Sequence, residues 1–234
     1  MHRKNQWSVA APALIACAAA QAEWKGKGEA GIVFARGNTQ TDSVNLKLEM
    51  SQEINEWKHA LDMSALRATT SGTTTADRYQ VGWQSNYRLS DRAFTFGGLR
   101  HDKDSFSGFD YQSNVTAGFG YKFVDTDKVK FAGQAGVGYA RLKNSLTGAT
   151  SGEAIGTAGF AYENQLNAST KVVDKFRLES GSKNTLMENF IGLEVKMMQS
   201  LALGVGLDIH NNSNPPGKLK RTDTLTTANV VYSF

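Results

Sequence analysis

Apolar and polar positions alternate along most of the chain. In residues 110–123, DYQSNVTAGFGYKF, the odd positions are mostly apolar or aromatic, and the even positions carry no large apolar side chain. A helix would place Asn114 and Gly118 beside Tyr111, so the helical period fails. A period of two puts successive side chains on opposite faces of a strand. The pattern therefore predicts a strand much longer than the roughly five or six residues usual in soluble domains.

Twelve segments with this alternation are separated by turn signals. Their predicted bounds are 26–36, 40–53, 57–69, 77–89, 92–103, 110–123, 128–143, 154–166, 170–181, 184–196, 201–211 and 222–234. Most of these segments are as long as the roughly 9–11 residues with which a tilted strand crosses a bilayer. The sequence therefore predicts an all-β fold, a transmembrane antiparallel up-and-down barrel of about twelve strands.

The connections between these segments alternate in length. Those after even-numbered strands are short, and most after odd-numbered strands are longer: TSGTTTA, DSFSGF, NSLTGATSGE and NSNPPGKLKR. Short turns at one end and longer loops at the other are typical of outer-membrane barrels, with both termini on the periplasmic, short-turn side. None of the longer loops looks long enough to plug the barrel.

Aromatic residues cluster near the strand ends. Phe94, Tyr121, Phe123 and Phe131 fall beside short turns, and Tyr79, Tyr111 and Tyr139 fall beside long loops. Two such belts would lie at the two interfaces of a membrane. A secreted β-sandwich or a lipocalin-like barrel would also alternate locally, but it needs neither twelve long strands nor two belts. A membrane also forces closure, because an open sheet edge would leave backbone groups unsatisfied in hydrocarbon.

The first residues, MHRKNQWSVAAPALIACAAAQAEW, predict export. Two basic residues precede a short run of small apolar residues, and Ala20-Gln21-Ala22 resembles a signal-peptidase site. We expect a signal peptide at 1–22, cleavage between Ala22 and Glu23, and a barrel over 23–234. A lipoprotein box at Leu14-Ile15-Ala16-Cys17 is the alternative. Beyond residue 22 the chain has no cysteine, no run of about 20 apolar residues that could form a spanning helix, and no basic block suited to nucleic acid.

Several motifs, in this order, resemble a known family. They are ARGNTQTDSVNLKLEM, EWKHALDMSA, GVGYAR and the ending DTLTTANVVYSF. Together they resemble the salt-induced outer membrane protein family of Gram-negative bacteria, a domain of unknown function, over about residues 24–234. The resemblance implies location and architecture, and it carries over no catalytic or binding residue. The terminal Tyr232 and Phe234 resemble the signal read by the barrel-assembly machinery, and outer-membrane lipids and lipopolysaccharide are the other expected partners.

The polar face of the strands would line the interior. Its charges are tolerable only when paired or hydrated. The candidates that line the lumen are Lys47, Glu49, Arg78, Arg88, Lys122 and Asp208, joined by Lys175, Arg177 and Glu179. Twelve strands lie between filled eight-stranded barrels and open porins. Both a narrow channel for small solutes or ions and a structural, envelope-stress barrel without transport fit this pattern.

Catalytic and metal chemistry find little support. A hydrolase at the rim would need a nucleophile, a histidine and an orienting group, and the candidate histidines are His101 and His210, the latter beside Asn211 and Ser213. The segment RHDKDSFSGFDY offers acidic residues, but its spacing matches no calcium loop or zinc pair. We therefore expect no enzyme activity, no metal and no cofactor, and we keep the rim hydrolase as a third hypothesis.

Overall fold

Twelve long strands make up nearly all of the described chain. The computed structural model describes residues 23–35, 41–105, 107–217 and 219–234, so the predicted signal peptide at 1–22 and the lipoprotein box lie outside the described residues. The strands are β1 (Lys25–Ala35), β2 (Thr41–Ile54), β3 (Trp57–Thr70), β4 (Thr73–Arg88), β5 (Ala93–Asp104), β6 (Phe109–Asp125), β7 (Val129–Asn144), β8 (Thr150–Gln165), β9 (Thr170–Gly181), β10 (Thr185–Lys196), β11 (Leu201–Asn212) and β12 (Thr222–Ser233).

The strands form one closed antiparallel barrel. Each strand pairs with its neighbours in the chain, and β1 pairs with β12 to close the ring, with Lys27 opposite Ser233 and Ala30 opposite Val230. Closure leaves no free sheet edge. The predicted fold class and strand number are confirmed. Among the described residues, no helix is long and apolar enough to span a membrane.

One end of the barrel carries short turns, the start of β1 and the end of β12, and the other carries the longer loops. We call them the short-turn end and the long-loop end. Two of the predicted loops are shorter than expected, because β4 begins at Thr73 and β8 at Thr150. The β3–β4 connection is the pair Ser71-Gly72, with φ angles of 50° and 78°. Two positive φ angles match the twist of a tight hairpin, which explains how strands can continue almost to the turn.

The two faces of the sheet differ as the alternation predicts. Leu99, Phe119 and Val137 point outward and are 60%, 69% and 71% exposed, whereas Val173 and Val231 point inward and are 1% exposed. The predicted outer belt is wrong at Phe94. This residue shares a face with Arg100 and Asp102, and its ring lies against Gly120 inside the barrel. A glycine at position 120 leaves the space that the ring fills.

Candidate functional site

The barrel interior is crossed by salt bridges. Arg100 on β5 reaches Glu188 on β10, with its guanidinium 2.9 Å from Glu188 Oε2 and 2.7 Å from Asp102 Oδ2. Strands β6 to β9 separate β5 from β10 along one side of the ring, so this bridge joins nearly opposite walls. Arg177 on β9 donates to the same Glu188 oxygen at 2.6 Å. Together these groups form a charged layer that spans the lumen, which we call the central layer: Arg100, Asp102, Arg177 and Glu188.

A second bridge crosses the barrel closer to the short-turn end. The ammonium group of Lys175 on β9 lies 2.6 Å from Glu49 Oε1 on β2. Their side chains are 39% and 35% exposed, so water reaches this pair. By contrast, the side chains of Arg100 and Glu188 are 13% and 16% exposed. The interior is therefore wetter at the Lys175–Glu49 pair than at the central layer.

Further charged side chains satisfy one another along the inner wall. Lys47 lies 3.1 Å from Asp208, with its ammonium group 4.1 Å from the centre of the Phe190 ring. Arg78 pairs with Asp104 at 2.6 Å. Such pairing offsets the cost of removing charges from bulk water. Four of the six lumen candidates from the sequence thus lie on the inner face in ion pairs: Lys47, Glu49, Arg78 and Asp208.

The other two candidates lie at the mouth of the short-turn end. Arg88 is 3.7 Å from Glu56, Lys122 is 2.9 Å from Asp125, and the side chains of both cations are about half exposed. Both line a cavity of about 460 Å³ that we call the vestibule. Its charged lining residues are six cations and two carboxylates, namely Lys58, Arg88, Arg92, Lys122, Lys175 and Arg177 against Glu53 and Glu56. Lys175 and Arg177 are paired with Glu49 and Glu188 outside this lining, so the vestibule is electropositive through the cations at its mouth.

The long-loop end is covered by a loop that reaches across the barrel. In the β11–β12 loop, Pro216 Cδ and Leu219 Cδ1 lie 2.6 and 2.9 Å from where a Cβ would stand on Gly108, in the opposite β5–β6 turn. Leu146 of the β7–β8 loop lies against Gly217 in the same way. We call the described part of this loop, 213–217 and 219–221, the lid. The loop lengths, which suggested that none of the longer loops could plug the barrel, did not predict this contact across its mouth.

Beneath the lid, the interior is apolar. Phe109, Ala140, Leu142 and Ile155 form a buried cluster, each no more than 8% exposed. The adjoining β9–β10 turn is fixed by Glu153, which accepts a hydrogen bond from the Lys183 backbone N–H at 2.6 Å. Asn184 donates to Asn212 at 2.8 Å, which ties this turn to the start of the lid. The long-loop end therefore combines apolar packing with satisfied polar groups.

The histidine candidates are far from forming a catalytic triad. His210 lies inside, with Nδ1 3.2 Å from Glu188, whereas the side chain of its neighbour Asn211 donates to Thr222 and Ser213 accepts from the Thr185 backbone. His101 points outward, 2.8 Å from Ser113 and stacked on Tyr111. Within the described chain, its second ring nitrogen has no hydrogen bond to a carboxylate or amide side chain. A nucleophile and a base are thus adjacent at His101, without the orienting group that a triad requires.

Within the described ranges, no group of three or more histidine, cysteine or acidic side chains could hold a metal ion. The lumen candidates from the sequence did not include Arg100 and Glu188, two of the four residues of the central layer. Alternation could have placed Arg100 inside the barrel, since this residue shares the even-numbered face of β5 with Gly98 and Asp102. Its partner on β10 could not be foreseen, because alternation gives the face of a residue and says nothing of what lies across the lumen.

Comparison with known proteins agrees with this architecture. The NanC porin superposes with a TM-score of 0.54 at 14% identity, over 90% of this chain and 98% of that chain. The COG4313 outer membrane channel from Pseudomonas putida F1 gives a TM-score of 0.52 at 10% identity, over 90% and 94% of the two chains. At such low identity these likenesses establish the fold alone, an outer-membrane-type β-barrel.

Sequence comparison establishes the family. The uncharacterized protein YdiY of Escherichia coli (strain K12) is 25% identical over 218 residues, which cover 93% of this chain and 86% of that protein. A family model described as "Protein of unknown function, DUF481" matches residues 28–234, nearly the whole range over which the motifs suggested a family of unknown function. The chain belongs to this DUF481 family of outer-membrane-type barrels.

Proposed function

We propose that the protein is a narrow outer-membrane diffusion channel for small solutes or ions, closed at rest by the central layer and the lid. The observation that carries the proposal is the gradient of hydration inside the barrel. An electropositive vestibule of about 460 Å³ leads to salt bridges that span the lumen. Charged pairs of this kind can separate when water and ions enter, whereas a tightly packed apolar core cannot.

The proposed orientation places the long-loop end outside the cell and both termini in the periplasm. This is the usual arrangement of outer-membrane barrels, in which the short turns are periplasmic. The vestibule would then open toward the periplasm. Solutes would leave the channel through it, and the lid would control access from outside.

The charge of the vestibule gives the proposed solute class. Its six cations against two carboxylates favour small anions, because a passage lined by one sign of charge concentrates ions of the opposite sign. The pairs Arg88–Glu56 and Lys122–Asp125 are solvent-exposed, so they are weak and leave the cations available to a passing anion.

The test is planar-bilayer conductance of the refolded barrel in a salt gradient. We expect discrete current steps and a reversal potential of the sign that indicates anion preference. The double variant Arg88→Gln, Lys122→Gln should reduce this preference. A control variant Lys25→Gln, Lys128→Gln removes two exposed cations outside the vestibule lining and should leave the preference unchanged. A cation-selective current would overturn the assignment to anions.

A structural barrel without transport is the second candidate, and the apolar cluster beneath the lid favours it. Phe109, Leu142 and Ile155 fill the long-loop end in the way that side chains fill smaller, non-conducting barrels. A folded, heat-modifiable barrel that never conducts, with or without the lid contacts, would support this second role and exclude the channel.

A further inference from the structure

Cations on the outer wall of the barrel occur at one end only. In the described strands, the register places four cationic side chains on the outward face: Arg67, Lys103, Arg141 and Lys143. All four lie within four residues of the long-loop ends of their strands. At the short-turn end the outward face is instead aromatic and aliphatic, as at Trp57, Tyr121 and Phe131. The two membrane interfaces of the barrel are therefore chemically different.

Three of these cations form one patch on β5–β7. Register pairs Tyr111 with Lys143 and Ser113 with Arg141, and Lys103 is two residues beyond His101, which pairs with Ser113. Because adjacent strands are about 4.8 Å apart, Lys103 and Lys143 are separated by about 10 Å across the patch. Lys103 and Arg141 are exposed, and Lys143 is half-buried and paired with Asp110 at 2.9 Å. The fourth cation, Arg67, faces Asp77 on the neighbouring strand and is not part of the patch.

The patch adjoins a surface suited to acyl chains. Directly toward the middle of the barrel, the same three strands expose Leu99, Val115 and Val137, which are 60%, 51% and 71% exposed. Tyr111 is level with Lys143, and Tyr139 is level with Val115, so aromatic side chains of the kind that mark a membrane interface occur where the cations give way to the aliphatic residues. Cations therefore lie at headgroup level and apolar side chains at chain level on one continuous face.

We propose that this patch, Lys103, Arg141 and Lys143, binds a phosphate group of a glycolipid of the lipid A type in the outer leaflet. Lysine and arginine form short, charge-assisted hydrogen bonds to phosphate oxygens. The His101–Ser113 pair, 2.8 Å apart beneath the cations, adds neutral groups that can donate to or accept from the headgroup. The patch has three cations and one carboxylate, Asp110, so it is positive when unoccupied. The proposal is independent of whether the barrel conducts.

The test is native mass spectrometry of the detergent-solubilised full-length barrel with bis-phosphorylated lipid A and with the same lipid after dephosphorylation. Each basic residue near a lipid phosphate contributes about fivefold in affinity, so we expect at least about tenfold preference for the phosphorylated lipid. The triple variant Lys103→Gln, Arg141→Gln, Lys143→Gln should lose this preference. The matched control Lys25→Gln, Arg92→Gln, Lys128→Gln removes three exposed cations at the short-turn end and should keep it.

A charge-conserving variant, Lys103→Arg, Arg141→Lys, Lys143→Arg, separates loss of charge from loss of folding, and it should bind like the wild type. Heat-modifiable migration on gels reports whether each variant is folded. Equal binding of both lipids by the wild type, or unchanged preference in the folded glutamine variant, would overturn the proposal. Displacement of the lipid by an equal concentration of inorganic phosphate would also overturn it, because the site would then recognise free phosphate rather than a lipid.

Discussion

At the scale of single residues, the inside of this barrel depends on a few paired charges. Arg100 contacts Asp102 and Glu188 while almost fully removed from solvent. A buried pair contributes little net stability over an apolar equivalent, but removal of one partner leaves the other charged and unsatisfied. The main effect of losing the arginine is therefore the unpaired buried carboxylate that remains.

We expect Arg100→Met to lower the free energy of unfolding by about 3–5 kcal/mol, because it leaves the Asp102 carboxylate without its cation, while Glu188 keeps Arg177. Arg100→Lys keeps the charge and should cost less, although it loses the planar fork that contacts both acids. Urea unfolding in lipid vesicles, followed by gel mobility, measures the difference. If Arg100→Met proved as stable as Arg100→Lys, the central layer would not depend on this charge.

The Phe94–Gly120 contact makes a second prediction at this scale. A Cβ at position 120 would collide with the Phe94 ring, whereas a Cβ on Gly97 meets nothing within 4 Å. Gly120→Ala should therefore destabilise the barrel by about 1–3 kcal/mol through overpacking. Gly97→Ala is the matched control and should be within about 0.5 kcal/mol of the wild type. The same unfolding measurement applies, and equal stability of the two variants would place the Phe94 ring elsewhere.

At the scale of strands and loops, the sequence predicts the strands and their order far better than it predicts the loops. Strand bounds follow from alternation, and most predicted ends agree with the structure to within one or two residues. The exceptions are β4 and β8, which begin four residues before their predicted starts because shorter connections replace the expected loops. The lid was missed because it depends on packing of Pro216 and Leu219 against Gly108, a contact between distant parts of the chain that no local pattern encodes. Phe94 was misplaced because its belt position was judged from its distance to a turn, without its parity in β5.

The lid should respond to loss of its apolar anchors. Leu219 and Leu146 make the contacts that hold the loop across the long-loop end. Leu219→Asn with Leu146→Asn should weaken these contacts and increase the fraction of time that the channel conducts, measured in planar bilayers. Leu166→Asn is the control: it changes a leucine that is also exposed, in the β8–β9 turn at the opposite end, and it should leave the conducting fraction unchanged. A conducting fraction unchanged by the double substitution would remove the lid from any gating role.

At the scale of the whole molecule, chemistry changes along the barrel axis. The short-turn end holds the electropositive vestibule, the middle holds salt bridges across the lumen, and the long-loop end holds the apolar cluster and the lid. On the outer wall, the patch that we assign to lipid phosphate lies at the long-loop end. The inner and outer surfaces thus give the barrel a direction, and both fit the proposed orientation with the loops outside.

The central claim is that the salt bridges of the central layer, together with the lid, close this lumen, and that the central layer limits its conductance. The most direct test is the single-channel conductance of the double variant Arg100→Ser, Glu188→Ser compared with the wild type. Removal of both partners leaves the net charge unchanged and removes the bridge with which the central layer crosses the barrel. We predict a conductance several times larger in the variant. A folded variant with no greater conductance than the wild type would contradict the claim and would favour a barrel that serves a structural role.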